Sequence, residues 1–166
     1  KEVDYEAYAK QIAKLFIIDF YTLNNKLSKN DIGGTEFIMD DMKDNFIDQA
    51  RSTFYRYIEV KSNDRKQNLP EVSKIEDISL ENTTFTITNK YSEKTTTSSK
   101  TKTTTNKGKT IDAYKVTISW NYKEDLGYET SANMIIVKDD NKLYIVASSF
   151  KIDFSNAILP SVLNCI

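Results

Sequence analysis

The chain of 166 residues contains no histidine at all. That removes Ser-His-Asp and Cys-His relays, and every histidine-ligated metal site, from consideration. It has one cysteine, Cys165, next to last. A lone cysteine cannot close an internal disulfide, and Leu163, Asn164 and Ile166 supply no charge to activate it, so it reads as a terminal thiol and not a nucleophile. Glycine (4) and proline (2) are scarce, so long elements joined by polar loops are expected. Long apolar runs are missing too. The nearest, Leu15-Phe16-Ile17-Ile18, stops at Asp19, far short of the ~18 residues that a membrane helix needs.

What is present suits a folded domain. Hydrophobic residues make up 39% and aromatics 11%, with 10 tyrosines, and the length fits one core better than two. A single domain over 1–166 is therefore expected. The net charge of −1 is unevenly spread: residues 1–60 are acidic, and 93–110 hold five Lys against one Glu. Neither excess has the breadth of a nucleic-acid-binding face, so no nucleic-acid partner is expected. Glu36, Asp40, Asp41, Asp44 and Asp48 fall at helical spacing and read as a solvated helix face. No metal site and no cofactor site is read from the sequence.

Hydrophobic periodicity divides the chain. Over 4–60 the apolar residues recur every three or four positions. Tyr8, Ile12, Leu15, Phe16, Phe20 and Leu23 mark a first amphipathic helix. The Gly33-Gly34 pair marks a turn, and Thr35 is placed to cap a second helix towards Val60 with Ile38, Met42, Phe46, Ala50, Phe54, Tyr57 and Ile58 on one side. Twenty-five residues is long for such a helix, so a break is expected within it. Beyond Pro70 the period becomes two. Strands are expected around Ile78 and Leu80, over Phe85-Ile87-Tyr91, over Tyr114-Val116-Ile118-Trp120-Tyr122, over Ala132-Met134-Ile136, and through Val146, Phe150, Ile152 and Phe154. Asp139 to Lys142 is a turn, and 155–166 a short helix or coil. Each strand is apolar on one face, which implies an α+β fold: N-terminal helices packed on one face of an antiparallel sheet of four or five strands over 72–154.

Residues 92–110, SEKTTTSSKTKTTTNKGKT, contain no apolar residue. Such a tract buries too little surface to offset its ordering entropy. It is read as an extended hairpin or as a disordered insertion, with Lys94, Lys100, Lys102, Lys107 and Lys109 available as a docking loop.

This order of elements, helices over 4–60 and then long alternating strands to 154, resembles the nuclear transport factor 2-like superfamily. The resemblance implies helices lying in the concavity of a bent sheet, a cone. Within that superfamily the chain looks most like the extracytoplasmic domains of bacterial conjugation and type IV secretion inner-membrane proteins, or like uncharacterised lipoprotein domains. The Asn-Pro turn motif of the secretion domains is not found here. Cone enzymes of the isomerase type place an Asp general base in an apolar cavity, and Asp19, with Tyr21, Trp120 and Tyr122, is the set that could play that part or form an interface. The plainer reading of Asp19 is an exposed or capped carboxylate whose exchange for Asn is tolerated. The plainer reading of the aromatics is core.

Three functions follow as expectations. The first is a non-catalytic scaffolding or protein-interaction domain, extracytoplasmic and held to a bacterial membrane through a segment outside this chain, since the chain opens at Lys1 without a Met. Its partners would be proteins, itself included. The second is a small-ligand-binding cone or an isomerase-like enzyme using Asp19. The third is a surface adhesion or antigen-like domain that displays the Thr/Lys tract.

Overall fold

The computed structural model describes residues 2–87 and 108–148. The strand reading at Tyr91, the loop lysines 94, 100, 102 and 107, the continuation through Phe150, Ile152 and Phe154, and the tail with Cys165 lie outside the described residues. Within them, two helices pack against a four-stranded antiparallel open sheet, as the periodicity predicts.

Helix α1 spans Tyr5–Tyr21. Asp4 caps it by accepting the Ala7 N–H at 3.0 Å, which satisfies one of the orphan donors of the first turn. Its buried face is Ala9, Ile12, Ala13, Phe16, Ile17, Phe20 and Tyr21. Leu15, placed inward by its spacing, instead stands 42% exposed beside Ile18 at 46%. Ile17 takes the inward place, because the stripe turns with the 3.6-residue period about the two small residues Ala9 and Ala13.

The long second helix is not formed. Thr35–Phe37 make a 3-10 turn behind Gly34, whose φ of 72° suits glycine. Helix α2 is confined to Asp40–Ser52, and Met39, not Thr35, precedes it. Thr53 ends it: its hydroxyl donates to the Gln49 carbonyl at 2.6 Å, and its backbone leaves the helical region at φ −119°, ψ −93°. Met42, Phe46 and Ala50 line the inner side, and Phe46 meets Phe16 and Phe20 of α1 at ring distances of 6.0 and 5.5 Å. Burying one such side chain is worth about 1.5–3 kcal/mol. Glu36, Asp40, Asp41, Asp44 and Asp48 are all exposed, as their pattern implies, and Lys43 and Arg51 pair with Asp40 and Asp48 one turn away.

The strands are β1 Val72–Ile87, β2 Lys109–Tyr122, β3 Ser131–Asp139 and β4 Lys142–Ser148, each paired with the next. Lys109 thus opens a strand, at an exposed position. Strand β2, with Val116, Ile118 and Trp120 buried, is paired on both sides. Asp140, at φ 51°, turns β3 into β4. Ile38 bridges to Ile145 along the outer side of β4. Strand β1 is one element where the sequence suggests two. Ile78 and Leu80 point to one face and Phe85 and Ile87 to the other. The polar run Glu81-Asn82-Thr83-Thr84 lies between them, so the apolar register crosses the sheet while the backbone continues unbroken.

The helices cover the face that carries Val116, Ile118 and Trp120. Tyr21 of α1 meets Trp120 at 4.5 Å, and Tyr5 lies under the Lys138 ammonium at 3.9 Å. The second face is not uniformly solvated, against the one-face expectation. Its residues divide sharply: Ser79, Glu81, Thr117 and Ser131 are exposed, whereas Phe85, Ala113, Ile135 and Val137 are buried. The run Met134-Ile135-Ile136-Val137 is buried on both faces of β3, which hides the alternation in the sequence.

Candidate functional site

An aromatic cluster links the end of α1, the segment after α2 and the end of β2. Phe20 stacks on Phe54 at 5.3 Å and meets Tyr55 at the same distance. Tyr21 touches Phe54 at 5.0 Å and Trp120 at 4.5 Å. Trp120 meets Tyr122 at 6.3 Å, and Tyr122 and Phe54 both meet Tyr128, at 6.2 and 5.7 Å. Tyr21, Trp120 and Tyr122 are therefore brought together. Asp19 is not among them. Two residues along a helix is a rotation of about 200°, so Asp19 and Tyr21 leave opposite sides of α1.

Asp19 has a structural part instead. It accepts the Lys26 ammonium at 2.7 Å and the Gly34 N–H at 2.6 Å. Burial raises its pKa, but the Lys26 and Gly34 hydrogen bonds outweigh burial and hold it below the usual carboxylate value. A general base for carbon acids requires the opposite shift. Asp19 is half-buried and bound to these two partners, neither a free surface carboxylate nor the cap of a helix. Tolerance of Asn does not follow, because Lys26 is buried and Asp19 is its ion-pair partner. Glycine is required at position 33 because a Cβ there would run into the Asp19 backbone carbonyl.

The cluster reaches the surface in a half-open depression of about 250 Å³, walled by Leu23, Phe54, Tyr57, Ile58, Leu69 and Tyr128, with Thr53 and Gln67 as its polar members. Tyr57 is 75% exposed and nearby Val60 73%. Arg56 lies over the Tyr57 ring at 5.2 Å. These walls belong to irregular backbone, which polar side chains fix in place. Gln67 takes the Glu59 N–H at 3.0 Å and donates to the Tyr57 carbonyl at 2.7 Å. Arg65 donates to the carbonyls of Lys26 and Asn24, both at 2.8 Å. The Tyr55 hydroxyl donates to the Phe20 carbonyl at 2.6 Å and accepts the Gly33 N–H at 3.2 Å. Each satisfies backbone groups that loops otherwise leave open.

Tyr21, Tyr55 and Tyr122 are neutral groups here. Burial pushes the phenols of Tyr21 and Tyr55 well above their usual range. Burial likewise takes Tyr122 up to about 12, the neighbouring Trp120 indole partly offsetting it without a formed hydrogen bond. The Tyr122 hydroxyl donates to the Glu129 carbonyl at 2.9 Å. The arrangement offers aromatic and aliphatic surface with a few fixed hydrogen-bonding groups. That is suited to holding a side chain of another molecule.

No family model matches the chain, and neither a curated protein nor a solved structure does.

The sequence pointed to Tyr21, Trp120 and Tyr122 and missed Phe54, Tyr57 and Tyr128 as walls of one depression. Phe54 and Tyr57 were placed on a helix that ends before them. Gln67 and Arg65 lie in a polar stretch without period, and only their reach across to the 24–27 and 57–59 backbones gives them a role.

Proposed function

We propose that this chain is a non-catalytic protein-interaction or scaffolding domain that docks an apolar or aromatic side chain of a partner protein against Phe54, Tyr57 and Tyr128. One observation carries the reading: an aromatic-walled depression opens on the surface with Tyr57 standing 75% exposed at its wall. Aromatic side chains that are rigid and partly exposed are the usual anchors of protein interfaces. Asp19, the carboxylate that an enzymatic reading would use, is committed to Lys26 and Gly34 with its pKa held down. The resemblance to extracytoplasmic secretion and lipoprotein domains supports placing the domain outside the cytoplasmic membrane, tethered to it in a larger bacterial protein.

A photo-crosslinking residue at position 57, in the full-length product expressed in its own cells, tests this. The expected result is a discrete adduct from position 57 and none from exposed Ser79 on the sheet. Equal labelling at both positions, or none at 57, would sink the docking site. Adduct mass distinguishes a second copy from another protein. Recovery of the full-length product in the cytosol, inaccessible to external protease, would remove the extracytoplasmic part of the reading.

A further inference from the structure

The two sides of the Tyr57 depression differ in charge. On the Tyr128 side, residues 124–129 hold Glu124, Asp125 and Glu129 and no cation. All three are exposed, and hydrogen bonds tie them to the walls. Glu124 accepts the side-chain amide of Asn68 at 3.0 Å, between the wall residues Gln67 and Leu69. Asp125 accepts the Gly127 N–H at 2.9 Å, beside Tyr128 in the chain. The Glu129 carbonyl takes the Tyr122 hydroxyl at 2.9 Å. Burial is the main cause of the raised Tyr21 and Tyr122 phenols, and the Glu129 carboxylate adds to it, so its charge reaches the aromatic cluster. On the Tyr57 side the signs are mixed. Residues 56–66 carry Arg56, Lys61, Arg65 and Lys66 against Glu59 and Asp64, with Arg65 bound to the carbonyls of Asn24, Lys26 and Glu59. Interspersed charges largely cancel at a distance, whereas like charges close together add.

Resting on the docking reading above, we propose that the occupant is a basic peptide segment of a partner protein. An apolar or aromatic anchor enters the depression, and Lys or Arg beside that anchor meets Glu124, Asp125 and Glu129. The depression holds about 250 Å³, below the roughly 300–1,000 Å³ of a small-molecule pocket, so it takes one side chain and not a whole ligand. Exposed apolar surface continues past it. The Lys61 N–H donates to the Leu27 carbonyl at 2.7 Å, which sets Leu27 beside Val60, and the two are 62% and 73% exposed. A segment of several residues therefore fits better than an isolated side chain. Cations suit the Tyr128 side for a further reason. Their methylene stems lie well along aromatic rings, and their charged heads are drawn to ring faces. Each exposed ion pair adds little affinity, but together they choose the sign of the partner and steer its approach.

Three synthetic peptides decide this with the full chain. They share a central Trp-Leu pair and differ only in their flanks: Lys and Arg, Gln and Asn, or Glu and Asp. Binding is read from the backbone amide shifts of Tyr57, Gln67 and Tyr128 in isotope-labelled protein. The expected order is basic, neutral, acidic, with the basic peptide about fivefold tighter than the neutral one at low salt. That advantage shrinks as salt is raised. Glu124→Gln with Glu129→Gln should remove it and leave the neutral peptide's affinity unchanged. Lys61→Gln with Lys66→Gln, on the other side, should leave it in place. All four side chains are exposed, so these variants keep the fold. A neutral or acidic peptide that binds as tightly as the basic one overturns the basic partner and leaves the docking site standing. So does a basic preference that survives the loss of both carboxylates. Shifts at Tyr57 that grow with protein concentration alone assign the depression to a second copy, and shifts caused only by phosphatidylglycerol vesicles assign it to a membrane surface. Either result overturns the proposal. If no peptide moves these amides, the proposal and the docking reading fall together.

Discussion

Trp120 shows how a single side chain ties three parts of the molecule together. It sits 1% exposed on the central strand, touching Tyr21 of α1 and Tyr122 of its own strand. Truncation to alanine should cost about 3–5 kcal/mol, since the surrounding rings can collapse only partly into the space. Urea denaturation of the purified variant measures it, and a loss under 1 kcal/mol would contradict the packing. Asp19→Asn acts differently. It strips the charge from the partner of a buried ammonium, but Asp19 is itself 40% exposed, so screening limits the cost to about 1–2 kcal/mol. The sign with pH is fixed by the depressed pKa. The stabilisation is fully present above the ordinary carboxylate value of 3.8 and is lost as pH falls through the lower folded value. The Asn variant should lose part of the acid limb of the stability curve. Exposed Asp40 and half-buried Glu71, also held low by Lys43 and Lys123, keep their share.

At the scale of elements, what was legible in the sequence is what repeats. Strand β2 could be read because five large residues alternate from Tyr114 to Tyr122, and α1 because its stripe runs unbroken. Phe54, Tyr57 and Ile58 continue the spacing of α2 towards Val60, and the break that its length leads one to expect falls at Thr53. What stops the helix is the Thr53 hydroxyl on the Gln49 carbonyl, and Tyr55 is drawn to the buried Phe20 carbonyl in the last turn of α1. Neither leaves a periodic trace. The candidate site was half legible for the same reason. Its members on α1 and β2 lie in regular elements, whereas Phe54, Gln67 and Tyr128 are placed by hydrogen bonds and ring contacts between distant segments. The connection from Ile87 to Lys109, which pair at the end of β1 and β2, is open to test. Replacing residues 88–108 by Asn-Gly should keep the fold and raise stability by about 1–2 kcal/mol from loop closure alone. Thermal melts of the two chains would show it, and an unfolded short variant would mean that the excised residues pair or pack.

For the whole molecule, buried phenols set an alkaline limit. Tyr21, Tyr55 and Tyr122 are all held neutral in the fold. In the unfolded chain they ionise near pH 10, so stability is unaffected below that value and falls as pH rises beyond it. Three protons give a slope of up to about 4 kcal/mol per pH unit, and cooperative unfolding should accompany the rise in tyrosinate absorbance between pH 10 and 12. Gradual ionisation of every tyrosine without unfolding would contradict the burial. The bridge from Ile38 to Ile145, with the Met39 N–H donating to the Ile145 carbonyl at 3.4 Å, gives the outer side of β4 a partner from within the chain. Among the described residues β1 is the longer flank of the sheet, and it carries Lys74, Glu76, Asp77 and Glu81 with two register shifts near its start. A sheet that adds through one flank joins a second copy once and is then used up, whereas a filament must add at both sides of every unit. Among the described residues, pairing through the β1 flank would therefore end at a pair, with the bridge at Ile145 interrupting addition along β4.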